Sequence, residues 1–316
     1  MKVLVTGAGQ DSSLTTFLHI TKGDEVYVLT RRRADGLTYQ MRKVIEILGV
    51  SPNFIHADLT EYEKVFSIVQ ELKPDMIYHY GAMSFVPYSY ENPIYTNEVN
   101  YLSAYAILEA IRKHSPETKV FLPASSEVFG SPLEYPQTLH TPLTPVSPYA
   151  ISKVALMYTA VYYRKVWKLN VYDFITFNHE SELRGEEFVT MKIVKNLVEK
   201  GHVKLGNIKA EKDWGYAGEY VKIFNKVMEG YEPRRYILCT GVIASVEDFL
   251  KYVISKIGGT YEIDPSLYRP LDAEGMTCDV NEVVIKPMFI WRDVADIMIK
   301  YVKDGIPTFP EVLGGV

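Results

Sequence analysis

Through its first half the chain alternates short apolar runs, at residues 3–6, 26–29, 54–55, 76–78, 120–122 and 171–176, with amphipathic stretches. This alternation predicts βαβ units, and hence an α/β fold built on a doubly wound parallel sheet. Right-handed crossovers would bring the C-terminal ends of the strands to one edge, where open α/β sheets hold their ligands. After Phe177 the texture changes to loops rich in Gly, Glu and Arg, broken by helical patterns at 188–200 and 246–257. Ser245 is placed to cap the second of these helices and Gly258 to end it. The run Tyr236-Ile237-Leu238-Cys239 predicts a strand that returns to the large sheet. The expected smaller α/β lobe, 178–316, is therefore interleaved with the first unit, 1–177, near 236–240.

A chain of 316 residues buries a sizeable core, and a formal charge of −5 argues against a partner with a phosphate backbone, so no nucleic acid is expected. The two cysteines, Cys239 and Cys278, form no CxxC pair. They predict neither a disulfide framework nor a thiolate zinc cage, and they suit a reducing cytoplasm. The first strand starts at Lys2, which leaves no room for a signal peptide, and no apolar run is long enough to span a bilayer. The seven histidines show no HxxxH or HExxH arrangement, so no metal is expected.

Directly after the first run come Gly7-Ala8-Gly9-Gln10-Asp11-Ser12-Ser13, a glycine-poor form of the G-x-G-x-x-G turn that opens a helical pattern near Leu14. The first Gly permits a tight turn, the second lets backbone N–H groups approach a diphosphate, and the helix N-terminus adds partial positive charge. Ser12 stands where a third Gly is usual. Alone, the motif is equally a plain strand–helix turn capped by Asp11 or Ser12. Its context points to a dinucleotide. The second run ends in Arg31-Arg32-Arg33, where an NAD site carries an acid. Guanidinium groups grip a 2′-phosphate with forked hydrogen bonds, so the expected cofactor is NADP; the plainer reading is a solvated basic loop. Asp58, followed by Leu59, is expected at the adenine, and Gly81-Ala82-Met83 along the cofactor.

Tyr149 and Lys153 are four apart, on one helix face. Tyr39/Lys43 and Tyr252/Lys256 share that spacing, so position distinguishes the pair: Tyr149 follows the fifth run and the Ser125-Ser126-Glu127 turn, with Ser147-Pro148 starting its helix. An ammonium beside the phenol would lower its pKa and make it a usable base.

These residues resemble the extended short-chain dehydrogenase/reductases, and longer segments narrow the resemblance to the GDP-mannose 4,6-dehydratases. The segments are Gly81-Ala82-Met83-Ser84, Ser126-Glu127-Val128-Phe129-Gly130, Phe177-Asn178-His179-Glu180-Ser181, Arg184-Gly185-Glu186 and Asp213-Trp214-Gly215. The resemblance runs from Lys2 to about Pro270, and the segment after Leu271 has no counterpart in it. It implies a Rossmann dinucleotide-binding domain and an internal redox elimination on a GDP-linked sugar, GDP-mannose or a close relative such as a GDP-heptose. Tyr149 would take the O4 proton while hydride leaves C4 for NADP, with Ser125 on the developing carbonyl. Glu127 would then remove the C5 proton and assist loss of the C6 hydroxyl as water before the hydride returns to C6. Glu127 read without the family is a cap at a strand end.

The resemblance also implies His179 and Ser84 beside the cofactor, Ser84 and Asn178 near the sugar, Val189, Lys192, Leu205 and Gly206 near the guanine, and Lys212 and Arg269 on the diphosphate. Arginine is usual where this chain has Lys212 and Met191, Pro-Arg is usual where it has Glu182-Leu183, and the phosphate loop is one residue short. A homo-tetramer in the cytoplasm is implied. Two other readings stand beside this one: a UDP-glucuronate decarboxylase, against which the Asn178-His179-Glu180 and Asp213-Trp214-Gly215 blocks speak, and a catalytically idle NADP-binding regulator.

Overall fold

The computed structural model describes residues 1–269, 271 and 276–314. In chain order the strands are β1 (Lys2–Thr6), β2 (Glu25–Thr30), β3 (Asn53–His56), β4 (Met76–His79), β5 (Lys119–Pro123), β6 (Asn170–Thr176), β7 (Asn178–Glu180), β8 (His202–Leu205), β9 (Glu211–Tyr216), β10 (Arg235–Leu238), β11 (Ile243–Ser245) and β12 (Thr260–Ile263). The helices are α1 (Gln10–Thr21), α2 (Tyr39–Leu48), α3 (Tyr62–Leu72), α4 (Val86–Glu91), α5 (Pro93–Asn97), α6 (Ser103–His114), α7 (Pro148–Trp167), α8 (Val189–Lys200), α9 (Ala217–Gly230), α10 (Val246–Ile257), α11 (Trp291–Asp304) and α12 (Phe309–Leu313).

Seven parallel strands form the large sheet in the order β10-β6-β5-β4-β1-β2-β3. Both faces are covered, which is why the strands read as near-continuous apolar runs rather than as alternating ones. Leu4, Ile77, Val120 and Val171 pack with side chains of α3, α6 and α7. Their neighbours Val3, Val5, Tyr78, Phe121 and Tyr172 turn the other way and pack with α1 and α9. Strand order reverses between β1 and β4, and that switch point opens the crevice in which an open α/β sheet takes a ligand. The returning strand is present: β10 pairs with β6, Tyr236 opposite Phe174.

Past β6 the chain builds two small sheets, β11-β9-β7 and β12-β8. The expected cap of α10 is present, with Ser245 Oγ accepting from Asp248 N at 3.0 Å while Asp248 returns a carboxylate to Ser245 N. Ser147 likewise caps α7, accepting from Ala150 N at 3.0 Å, with Pro148 in the first turn.

The cysteine expectation is overturned: Cys239 and Cys278 are joined in a disulfide across 39 residues of sequence. The end of β10 meets the stretch 276–279, which also bridges to Gln137 and Lys212. Nothing local in the sequence announces a pairing made by two distant segments, and cysteine usage therefore no longer argues for a reducing compartment. Among the described residues no helix is long and apolar enough to cross a membrane.

Candidate active site

At the switch point Gly7 has φ +88°, and a Cβ there would lie 3.3 Å from the Gly81 backbone. The turns after β1 and β4 therefore approach each other closely, and Gly81 is equally enclosed, since a Cβ on it would lie 2.3 Å from Leu59 Cδ1. Above Gly9, by contrast, nothing lies within 4 Å, which leaves open space at the N-terminus of α1. A buried chain holds this geometry. Ser103 Oγ donates to Val99 O at 2.6 Å and so accepts from His79 Nε2; Thr6 Oγ1 donates to His79 Nδ1 at 2.9 Å and accepts from Gly81 N at 3.0 Å. Burial pulls His79 down to about 3, so the ring stays neutral and serves as a fixed strut.

The cleft above these turns is lined by Gly7, Gly9, Gln10, Asp11 and Ser12 on one side, and by Ser125, Glu127, Tyr149 and Lys153 on the other. Asp58, Leu59, Gly81, Ala82, Ser84, Asn178 and His179 also line it. The Gly-poor turn begins α1 with Gly9, not Asp11 or Ser12, at the cap position. Arg31 and Arg33 reach the cleft, and Arg31 Nη1 donates to Tyr95 Oη at 3.0 Å. Arg32 lies in an adjoining hollow shared with Arg31, Arg33, Thr38 and His56.

Ser125 caps the short turn Ser126–Phe129, its Oγ accepting from Glu127 N at 3.3 Å, so the cap is the serine and Glu127 keeps its carboxylate for the cleft. Burial pushes the Tyr149 phenol up to about 12, a hydrogen bond with Ser125 pulls it back, and the nearby Glu127 charge raises it again. Ser125, Glu127 and Tyr149 thus face one another. Lys153 differs from expectation: its ammonium donates to Pro123 O at 2.8 Å and sits 5.7 Å from the Tyr149 ring centre. Burial lowers it to about 8. The other Tyr/Lys pairs stand elsewhere, Tyr39 bonded to Tyr301 and Tyr252 to Asp296.

Lys212 Nζ, which is buried, and Arg269 Nη1, which lines the cleft, each lie 3.7 Å from Glu127 Oε1. Two of the departures from the family pattern have no voice in the cleft, because Leu183 and Met191 are buried in the core. Glu182 is buried too, accepting from Tyr216 Oη and from the Phe309 amide at 3.0 Å each. Of the residues assigned to the guanine, Val189 and Lys192 lie in the first turn of α8, Leu205 is buried, and Gly206 backs onto Leu267 O; none lines the cleft. Arg184 and Phe188 do line it and were passed over as individual residues. Their signal was present, a cation four residues before an aromatic, and the guanidinium stacks on the ring at 3.5 Å.

Comparison with known proteins gives the family and the fold. The family model for GDP-mannose 4,6 dehydratase matches residues 4–290, twenty residues beyond Pro270, so the first part of the stretch with no visible counterpart falls within the family match after all. A GDP-mannose 4,6-dehydratase of Vibrio cholerae is 36% identical over 270 residues, covering 82% of this chain and 73% of the relative. GDP-mannose 4,6 dehydratase 2 of Arabidopsis thaliana is 35% identical over 310 residues, covering 92% and 82%. Among solved structures, the UDP-glucose 4-epimerase of Thermus thermophilus in complex with NAD superposes with TM-score 0.84 at 21% identity over 97% of this chain and all (100%) of that one. TunA, an NAD-dependent NDP-hexosamine 5,6-dehydratase, does so with TM-score 0.82 at 19% identity, covering 95% and 97%. These two likenesses concern the fold. With a family model spanning nearly the whole chain and relatives above 30% identity over most of it, the chain belongs to the GDP-mannose 4,6-dehydratase family.

Proposed function

We propose that this protein is a hydro-lyase that uses NADP and removes water from GDP-mannose to give the 4-keto-6-deoxy sugar nucleotide. The observation that carries the reading is the convergence of Ser125, Glu127 and Tyr149 on one wall of the cleft opposite the Gly7–Gly9 turn. The turn fits a dinucleotide, since Cβ-free backbone and open space coincide there, and Gly7, Gly9, Ser12, Gly81 and Ala82 would hold it. The group supplies a hydride acceptor when bound. NADP rather than NAD is supported by the hollow of Arg31, Arg32 and Arg33, which gathers guanidinium groups for a 2′-phosphate, although Arg33 is held by Asp35 and Arg31 lies 3.9 Å from Asp58.

The chain's own residues divide the acid–base work. Tyr149 receives the O4 proton, and Ser125, bonded to it, steadies the oxygen that becomes a carbonyl. Glu127 takes the C5 proton once the neighbouring ketone has acidified it and passes it to the departing C6 hydroxyl, and the proton that Tyr149 took from O4 would restore C5 when C6 is reduced, leaving the phenol as it began. Lys212 and Arg269, both beside Glu127, would take the diphosphate of the sugar nucleotide. Asn178, which lines the same cleft, would meet the sugar.

A homo-oligomer, the tetramer of the resemblance, is part of the same proposal. The outer face of α7 carries Ile151, Tyr158, Tyr162 and Val166, all more than 40% exposed and spaced as one helical stripe, which a second copy would cover.

Incubation with GDP-mannose followed by mass spectrometry tests the reading. Loss of one water from the sugar nucleotide is expected. Unchanged GDP-mannose alongside turnover of UDP-glucuronate, or protein-bound NADP with no turnover of either, would overturn it.

A further inference from the structure

Two consecutive residues of α1 hold the strand that carries Asn178. Gln10 Nε2 donates to His179 O at 3.1 Å, and Ser181 Oγ donates to Gln10 Oε1 at 2.8 Å. Between these contacts the His179 ring lies flat on Tyr220, ring centres 4.7 Å apart at 20°, with both nitrogens engaged. Nδ1 is 2.8 Å from Phe177 O, and Nε2 is 3.0 Å from Asp11 Oδ2. A carbonyl oxygen only accepts, so Nδ1 carries a hydrogen. Asp11 sits in the first turn of α1, where helix amides favour a carboxylate, and its other oxygen already accepts from Gln10 Nε2 at 3.0 Å. A carboxylate also only accepts, so Nε2 carries a hydrogen as well.

We propose that His179 acts as an imidazolium positioning residue, whose charge cancels that of Asp11 at the mouth of the diphosphate site and ties the Asn178 strand to the cofactor turn. This role rests on the NADP reading above. Asp11 lines the cleft together with Gly7, Gly9 and Ser12, where an unbalanced carboxylate would repel the anionic cofactor. The ion pair removes that repulsion while keeping the clamp. The groups facing the pair are Arg184 from the loop after β7, Tyr220 from α9, and Tyr80 and Tyr149, whose own titrations feel Asp11. Burial alone would lower His179, but the charge and hydrogen bond of Asp11 and the bond to Phe177 outweigh it, and the net shift is upward. Asp11 moves the opposite way: burial would raise it, the charge and hydrogen bond of His179 prevail, and it is lowered. When the ring loses its proton at alkaline pH, a lone pair faces the carboxylate and the charge on Asp11 stands alone.

The test combines side-chain NMR of the histidine rings with NADPH affinity measured by fluorescence from about pH 6.5 to about pH 9.5. The His179 resonance, assigned by its disappearance in His179→Gln, is expected at the doubly protonated position at neutral pH. Wild-type affinity should fall roughly tenfold as the ring titrates, and Asp11→Asn should flatten that dependence. His179→Gln should bind weakly at neutral pH, and Asp11→Asn/His179→Gln should recover most of the affinity, a rescue that a purely structural histidine would not give. A neutral ring at neutral pH, pH-independent wild-type affinity, or a double variant no better than His179→Gln would each overturn the proposal. Wild-type protein that binds no dinucleotide at any pH would overturn this role together with the cofactor reading.

Discussion

In the proposed reaction Tyr149 has to give up a proton that its surroundings hold tightly: burial carries the phenol to about 12, and the Ser125 hydrogen bond opposes that rise. Removing the bond in Ser125→Ala should therefore raise the phenol further. The acid limb of the kcat/KM profile is expected to move to higher pH and the rate at neutral pH to fall by about tenfold or more; an unmoved limb would show that Ser125 does not tune the base. Glu127→Gln keeps the size and loses the base. Dinucleotide affinity should be retained while dehydration falls by about two to four orders of magnitude, read by mass spectrometry of the sugar nucleotide. Ser125 and Glu127 were legible in the sequence because each lies within a few residues of an apolar run that ends at the crevice, and Tyr149 because Ser147-Pro148 marks the start of its helix. The partner of Lys153 was not. A spacing of four places two side chains on one helix face, yet the ammonium is taken by the Pro123 carbonyl, which belongs to the neighbouring strand.

Secondary-structure elements were legible where one period dominated. The six apolar runs became β1 to β6, and the 246–257 pattern became α10 with its cap, because burial on both faces or on one stripe leaves a mark in the residue order. Replacing that cap by Ser245→Ala should cost about 1 kcal/mol, seen as a lowered urea midpoint with an unchanged slope. The turns that meet at the switch point are tighter. Gly81→Ala would place a Cβ 2.3 Å from Leu59 Cδ1 and 3.1 Å from Thr6 Oγ1, so the Leu59 side chain at the cleft and the hydroxyl that holds Gly81 N must both shift. Weakened NADPH binding by about tenfold, with stability less affected, is the expected result, and calorimetric titration against thermal melts separates the two. The sequence pattern showed that a glycine stood there, whereas the reason, an approach between two loops, came from folding.

Across the whole molecule, the stretch that follows the crevice is fastened by groups far apart in sequence. The Cys239–Cys278 disulfide joins it to the end of β10, Glu219 accepts from the Met288 amide at 2.9 Å, and Glu182 accepts from the Phe309 amide at 3.0 Å. Cys278→Ser should destabilise the fold by roughly 2–4 kcal/mol in urea titrations under non-reducing conditions, and reduction of the wild type should lower it to the same value. Burial raises the Glu182 carboxyl above its usual range, the backbone amides notwithstanding. Its contribution to stability is therefore full at acid pH and is lost as pH rises through the folded value. Glu182→Gln removes that loss, so the variant's stability should exceed the wild type's increasingly toward neutral pH; a parallel pair of pH curves would contradict the sign.

Residue order alone determined the parallel sheet, the crevice at the end of β1 and the three groups converging there, because each is written as a local period or as a short segment at a strand end or a helix start. Tertiary structure decided the disulfide, the placement of Lys153, and which departures from the family pattern reach the cleft. Those depend on contacts between segments whose separation in the chain leaves no trace in either one: Met191 and Leu183 turned inward to the core, while Lys212 arrived beside Glu127.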